Sequence, residues 1–438
     1  MLKVISNCWA LFLGMGLIML GNGLQGSLLG VRASMEGFDV STTGLVMSGY
    51  FIGLLFGPTI IPGIVARVGH VRSFGALVSL ASASVLVHVV FIDPWIWWAM
   101  RFITGFAYAG TYIVAESWLN DAAENETRGQ LLSVYMLVSL AGLAGGQFLL
   151  NVADPSGFKL FIMISVLVSF AAVPILTSVS AAPNFEITES VSVRQLYRIS
   201  PLGIAGILIS GVAMGAIFGM GAVYATEVGL SVREISFFMG AVVLGGVILQ
   251  YPIGRLSDVI GRRRVIVGTC VAGAAASFAA AAFTGSGFVL YVMIGLVGGL
   301  STPLYSLCIA HTNDYLNPRQ MVAASGTLVM ATAIGSSMGS PLTAYAMEYL
   351  GPPAFFQTIG VSLALIAVFA LWRSTQREAM ATEELGDFVV MAPSPISAAA
   401  NPEFDLQEIE AAADLNADAV QASFAELAED LSTTSEND

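Results

Sequence analysis

Twelve stretches of this chain, near residues 5–29, 42–66, 73–92, 95–119, 129–151, 158–179, 201–225, 234–256, 264–284, 287–310, 321–347 and 353–372, stay apolar for long enough to cross a membrane. A hydrocarbon core about 30 Å thick takes about 20 helical residues. Inside it, only a helix or a closed barrel satisfies its own backbone polar groups. Each stretch therefore predicts a transmembrane helix, and the fold class expected is an all-α membrane protein. With 56% hydrophobic and 11% charged residues, the 438-residue chain is far too apolar for a soluble domain. The first stretch is too long for a signal-peptide core and lacks a small-x-small cleavage site, so it is read as a retained span.

An even number of spans puts both termini on one side, and the basic residues choose that side. With the N-terminus in the cytoplasm, Lys3, Arg67, Arg72, Arg128, Arg194, Arg198, Arg255, Arg262, Arg263, Arg264, Arg319, Arg373 and Arg377 face inward. Arg32, Lys159 and Arg233 face outward, and Arg101 falls within a span. Thirteen against three fixes the expected orientation, with both termini cytoplasmic. The net charge of -13 misleads, because residues 381–438 hold 14 Asp and Glu and no Lys or Arg, leaving 17 basic against 16 acidic residues elsewhere. No nucleic-acid surface is implied. Cys8, Cys270 and Cys308 fall in apolar runs without metal-like spacing and read as buried thiols. His70, His88 and His311 are scattered, and no metal site is expected of them.

Between the eighth and ninth runs lies Gly254-Arg-Leu-Ser-Asp258-Val-Ile-Gly261-Arg262-Arg263-Arg264, a charged segment that hydrocarbon excludes. A shorter version, Gly63-Ile-Val-Ala-Arg67-Val-Gly69-His-Val-Arg72, begins 191 residues earlier, and Arg128 precedes Arg319 by the same 191. That shared offset predicts two six-helix pseudo-repeats. The expected boundaries are 1–179 and 201–378 for the bundles, 180–200 for a cytoplasmic linker, and 379–438 for an acidic tail. Parallel repeats are a transporter device, in which ligand sits between the halves near mid-membrane and their rocking alternates access.

The Gly254–Arg264 segment resembles the loop signature of the major facilitator superfamily, the twelve-helix secondary transporters. Glu116-Ser-Trp-Leu, Arg128-Gly-Gln-Leu-Leu, Tyr135-Met136, Gly146-Gln147 and His311-Thr-Asn313-Asp314 are together similar to its bacterial YcaD-like branch. The resemblance covers residues 1 to about 378 and implies the superfamily's fold in a bacterial cytoplasmic (inner) membrane. It implies gating by Gly254, Asp258, Gly261, Arg262 and Arg263, as a latch between the halves on the cytoplasmic side. The loop after the second span departs from the pattern, being one residue short with Arg67 about where the acid belongs. The glycine-rich run Gly142 to Gly146 resembles the fifth-span motif associated with antiporters, but Gln147 replaces its proline, which argues against an exporter.

Arg101, about 9 Å along its helix from Trp95, costs several kcal/mol in lipid unless paired, hydrated or snorkelling. It is expected at the substrate cavity. Tyr108, Tyr112 and Glu116 recur every four residues on one face of the same helix. Glu116, near the cytoplasmic end, is expected to pair with Arg128 or another loop arginine as a gate. Asn22, Gln25, Gln147 and Gln250 are amides within spans, each needing a partner, a water or a ligand. With Arg101, Tyr108 and Tyr112 they form the expected cavity set, although interhelical hydrogen bonding is an equal reading for any one amide.

Gly335-Ser-Ser337-Met-Gly339 fits a nucleophile-elbow pattern but lies mid-span, so small-residue packing is expected and not hydrolysis. No phosphate-binding loop of the Gly-x4-Gly-Lys-Ser/Thr type occurs, so the expected function is gradient-driven transport and not an enzyme activity. No cofactor is expected. The partners expected are a small solute, membrane lipids and a coupling proton. Arg101 without an evident acidic partner favours an organic anion or zwitterion. Multidrug or metabolite efflux by proton antiport, and a non-transporting sensor of the same fold, are the alternatives. In the tail, Val420, Phe424, Leu427 and Leu431 recur at helical spacing, which fits either a solvated acidic tail or a short helix docking on the basic loops.

Overall fold

The computed structural model describes residues 8–122, 125–177, 192–283, 285, 287–316 and 318–376. The tail and most of the expected linker lie outside them. Among the described residues, twelve long helices cross the bundle. They are α1 Trp9–Met35, α2 Val40–Val68, α3 His70–Val90, α4 Pro94–Ala122, α5 Asn125–Leu149, α6 Lys159–Thr177, α7 Pro201–Glu227, α8 Val232–Ile260, α9 Arg262–Ala282, α10 Phe288–Asn313, α11 Pro318–Leu350 and α12 Ala354–Ser374. Ten are apolar enough by composition to span a bilayer. The other two, α4 and α11, are diluted by Arg101 and Glu116 and by Ser, Thr and Gly, and both line the opening at the centre of the bundle. A π turn at Ala216–Met220 interrupts α7, and Pro303, which has no N–H to donate, marks a break in α10 after Thr302. The described residues contain no strand.

Helices outrun the apolar stretches where polar groups find partners at their ends. α1 continues to Met35 because Arg32 pairs with Glu36 at 2.5 Å and donates to the Pro155 carbonyl. α4 continues to Ala122, three residues past the expected end.

Helices α1–α6 pack on one another through α1/α5, α1/α6, α2/α4, α3/α4 and α3/α6, and α7–α12 repeat the scheme as α7/α11, α7/α12, α8/α10, α9/α10 and α9/α12. α2 and α8 both have 29 residues, α3 and α9 both have 21, and their starts are 192 residues apart. So are the turn glycines Gly69 and Gly261, at φ 84° and 94°. The register is therefore 192 and not 191. The first loop is not short: Ala66 lies opposite Asp258, and His70 opposite Arg262. Gly254 is no turn residue either, since α8 runs through it to Ile260 and buries it.

Backbones touch wherever glycine faces a carbonyl. A Cβ at Gly105 would collide with the Tyr50 carbonyl, one at Gly53 with that of Phe102, and one at Gly146 with that of Leu20. Gly335 and Gly339 meet the Leu208 and Val212 carbonyls in the same way, so the apparent nucleophile elbow is a packing seam. The two sets of helices meet at the end that carries the α1–α2 turn. There Glu348 accepts from the Ser41 backbone N–H at 2.8 Å and Asn151 donates to Ser236 at 2.9 Å. Gly105→Leu is expected to cost at least the ~1–3 kcal/mol typical of overpacking. It should lower the thermal midpoint of the purified protein, and an unchanged midpoint would contradict the packing described.

Candidate functional site

A cavity of about 280 Å³ lies between α1, α2, α4 and α5 of the first set and α7, α8, α10 and α11 of the second. Its walls are the middles of these helices, from Asn22 on α1 and Leu54 on α2 to Met214 on α7 and Ala333 on α11. That places it at the mid-plane of the bundle. Among the described lining residues only Arg101 and Glu116 are charged, and both belong to α4. Fifteen residues separate them, about 22 Å at 1.5 Å per residue.

Close packing of α2 on α4 seats Arg101. Gly49 and Gly53 let the helices touch, and the guanidinium carbon lies 4.5 Å from the centroid of the Tyr50 ring. Arg101 is 3% exposed, and its Nε and Nη1 have no hydrogen-bond partner. No carboxylate among the described residues lies within ion-pairing distance of it. An aromatic face offers a buried cation roughly 2 kcal/mol, well short of a carboxylate's compensation. Beside it, Asn22 Nδ2 donates to the hydroxyls of Tyr50 and Tyr112, each at 3.2 Å, and the two hydroxyls bond each other.

The expected cavity residues divide. Asn22, Arg101, Tyr112, Gln147 and Gln250 line the wall. Tyr108 does not; it is fully buried behind it, stacked on Tyr112 and edge-on to Tyr50. Gln25 is also off the wall, buried with neither amide atom partnered. Gln147 serves the helix seam as well, accepting from Ser27 at 2.5 Å and donating to the Gly23 carbonyl at 3.0 Å. Glu116 was expected near the cytoplasmic end as a gate partner of Arg128. It lies on the cavity wall, fully buried and hydrogen-bonded to Tyr135, while the Arg128 side chain lies outside the described residues. Sequence reasoning missed Tyr50 and Tyr305. Each stands in an apolar run with no charged neighbour to flag it, and Tyr305 reaches the cavity from α10, within electrostatic range of Glu116.

At the signature loop, Arg262 is 3% exposed and pairs with Asp314 at 2.8 Å and Asp258 at 4.0 Å. These ion pairs tie α8, α9 and the end of α10 within one set, and neither crosses to the other. Arg263 is half-buried and Gly261 makes the turn. Opposite them in the first set, His70 meets Ser117 at 3.0 Å.

A family model described as the Major Facilitator Superfamily matches residues 11–227 and 202–400. The chain belongs to the major facilitator superfamily. Its members are transporters and not enzymes. The resemblance to the YcaD-like branch is borne out by a curated relative from Escherichia fergusonii, named an uncharacterized MFS-type transporter YcaD. It is 27% identical over 368 residues, covering 83% of this chain and 94% of the relative. Among solved structures, a mutant form of the nucleoside transporter NupG superposes with TM-score 0.71 at 13% identity, covering 83% of this chain and 98% of that one. A bacterial homologue of the human lysosomal transporter Spinster, inward-facing and unoccupied, superposes with TM-score 0.65 at 13% identity, covering 85% and 95%. These likenesses bear on the fold. A family transporter of this shape is a multi-pass membrane protein.

Asn22→Leu removes the amide that anchors both tyrosine hydroxyls, a loss of about 1 kcal/mol for each hydrogen bond. Thermal unfolding of the purified variant should start at a lower temperature; wild-type behaviour would contradict the network.

Proposed function

We propose that this chain carries a small organic anion or zwitterion across the bacterial cytoplasmic membrane by alternating access, with Arg101 receiving the anionic group. The unpaired, buried guanidinium on the cavity wall carries this reading. A cation at mid-membrane is costly until something neutralises it, and a ligand anion in the cavity would do so. The two sets of helices are the moving halves, and the mid-plane cavity is the site they expose in turn. With thirteen inward-facing basic residues against three, both termini are cytoplasmic. The Ser41–Glu348 and Asn151–Ser236 contacts then close the outer face. Arg262, held by Asp258 and Asp314, keeps the cytoplasmic ends of α8, α9 and α10 in register. Gly254, Gly261, Arg263 and Arg128 belong to that gating region.

Arg101→Gln should weaken binding of a transported anion by about 10–100-fold, following the ~1.5–3 kcal/mol of a hydrogen bond to a charged group. Arg101→Lys should fall between, because lysine keeps the charge and loses the planar fork. Thermal-shift binding and flux into vesicles measure this, and full uptake by a folded Arg101→Gln protein would reject the assignment. Ligand binding with no flux in vesicles would assign a sensor instead.

Glu116 favours a second reading of the energetics, in which a proton drives transport, including export by antiport. It is the described acidic residue on the cavity wall, it hydrogen-bonds Tyr135, and it faces Tyr305 across the halves. Glu116→Gln should remove the dependence of flux on a pH gradient while binding persists. A gradient response kept in that variant would exclude Glu116 as the proton site.

A further inference from the structure

The cavity wall discriminates among small anions, because its polar groups are unequally available. Ser210 donates to the Ile207 carbonyl, Thr302 to Gly298, Thr332 to Leu328 and Ser336 to Gly211, at 2.9–3.1 Å. Ser27 donates to Gln147. These five hydroxyl hydrogens are already committed to the protein, so of the described Ser and Thr groups on the wall only Ser139, whose hydroxyl has no hydrogen-bond partner, keeps a hydrogen to offer a hydroxylated solute. Most of the remaining surface is apolar, with Met19, Met136, Met214 and Met239 reaching it from four different helices and both halves, joined by Phe51 and Phe218. Methionines of this kind fit apolar bodies of varied shape.

Against that wall stands one receptor made of donors. Arg101 keeps Nε and Nη1 unpartnered. In the Tyr50–Tyr112 pair, Asn22 supplies a hydrogen to each oxygen, the two hydroxyls bond each other, and Tyr112 also donates to the weak acceptor Met19 Sδ at 4.0 Å, a hydrogen that a stronger acceptor would draw away. The described acid on the wall, Glu116, stands fifteen residues, about 22 Å, along α4 from Arg101, so a short solute held by Arg101 meets one charge at a time. A second ligand charge near Arg101 would therefore face methionine and phenylalanine with no partner, at the cost of a buried unpaired ion. Tyr305, whose hydroxyl has no hydrogen-bond partner, offers a single polar contact toward the Glu116 end.

Resting on the assignment of Arg101 as the anion receptor, we infer that the solute is an amphiphilic monoanion, one carboxylate-like group on an apolar aliphatic or aromatic body, and not a zwitterion, a diacid or a polyhydroxylated compound. The anionic head lies on Arg101 and the tyrosine pair, and the body lies along the methionine wall.

The test uses the purified full-length protein, measuring thermal shift and vesicle counterflow with matched probes. The monoacids are acetate, hexanoate, octanoate, benzoate and phenylacetate. Against them stand 8-aminooctanoate, suberate, octanamide, gluconate and uridine. The expected result is that at least one monoacid longer than acetate binds at least tenfold more tightly than every contrasting probe, and that Arg101→Gln abolishes this preference over octanamide. Met214→Ser with Met239→Ser should weaken the favoured monoacid at least fivefold while leaving acetate unchanged. Octanoate binding that ignores Arg101→Gln is partition into detergent or lipid and counts against the inference. Gluconate, 8-aminooctanoate or suberate matching the monoacids, with their binding lost in Arg101→Gln, would overturn the amphiphilic body and leave the Arg101 receptor standing. If no anion in the series responds to Arg101→Gln, the receptor assignment falls too.

Discussion

Hydrocarbon offers a peptide group no partner, and that constraint organises the whole molecule. Each crossing must be a helix, so specificity among crossings comes from how closely two helices approach. In this chain glycines set that approach at α1/α5 and α2/α4, and at α7/α11 and α8/α10 in the second set. The described charges then sit where those seams open, as Arg101 and Glu116 do at the cavity, or at helix ends, where Arg32 finds Glu36 and Arg262 finds Asp314. The site is thus a product of the packing. Arg101 sits over the Tyr50 ring because Gly49 and Gly53 bring α2 onto α4.

Much of this was legible in the sequence, for reasons that differ from residue to residue. Twelve spans and a repeat follow from hydropathy and from a charged loop that lipid excludes. Arg101 announced itself by its cost. What the sequence concealed is which side of a polar helix faces the opening. Asn22 and Gln25 are three residues apart on α1, yet one lines the cavity and the other is buried off it. Tyr108 and Tyr112 share a face by spacing, but the 40° drift of an α-helix over four residues puts Tyr108 behind the wall. Glu116 stands six residues before the end of α4 and still lines the cavity, which its spacing alone does not show. Tyr50 and Tyr305 could not be found, since a tyrosine in an apolar run reads as packing.

The repeat register carries a similar lesson. Counted from Gly63 to Gly254, the offset is 191. Both of those glycines are helical, and the turns belong to Gly69 and Gly261, whose positive φ no other residue adopts cheaply. In the corrected register the buried Arg262 corresponds to the buried His70. The two sets therefore share a backbone plan and differ in the strength of the polar tie at the same corner.

Both charged groups among the described residues of the cavity wall ride on a single helix, α4. The facing wall, built from α7, α8, α10 and α11, has no charged side chain among its described residues. Sliding one surface past the other breaks none of the described ion pairs, each of which lies within one set of helices. A machine with its charges on one jaw meets little electrostatic friction as it turns over, and its resting posture is left to whatever fastens the rims.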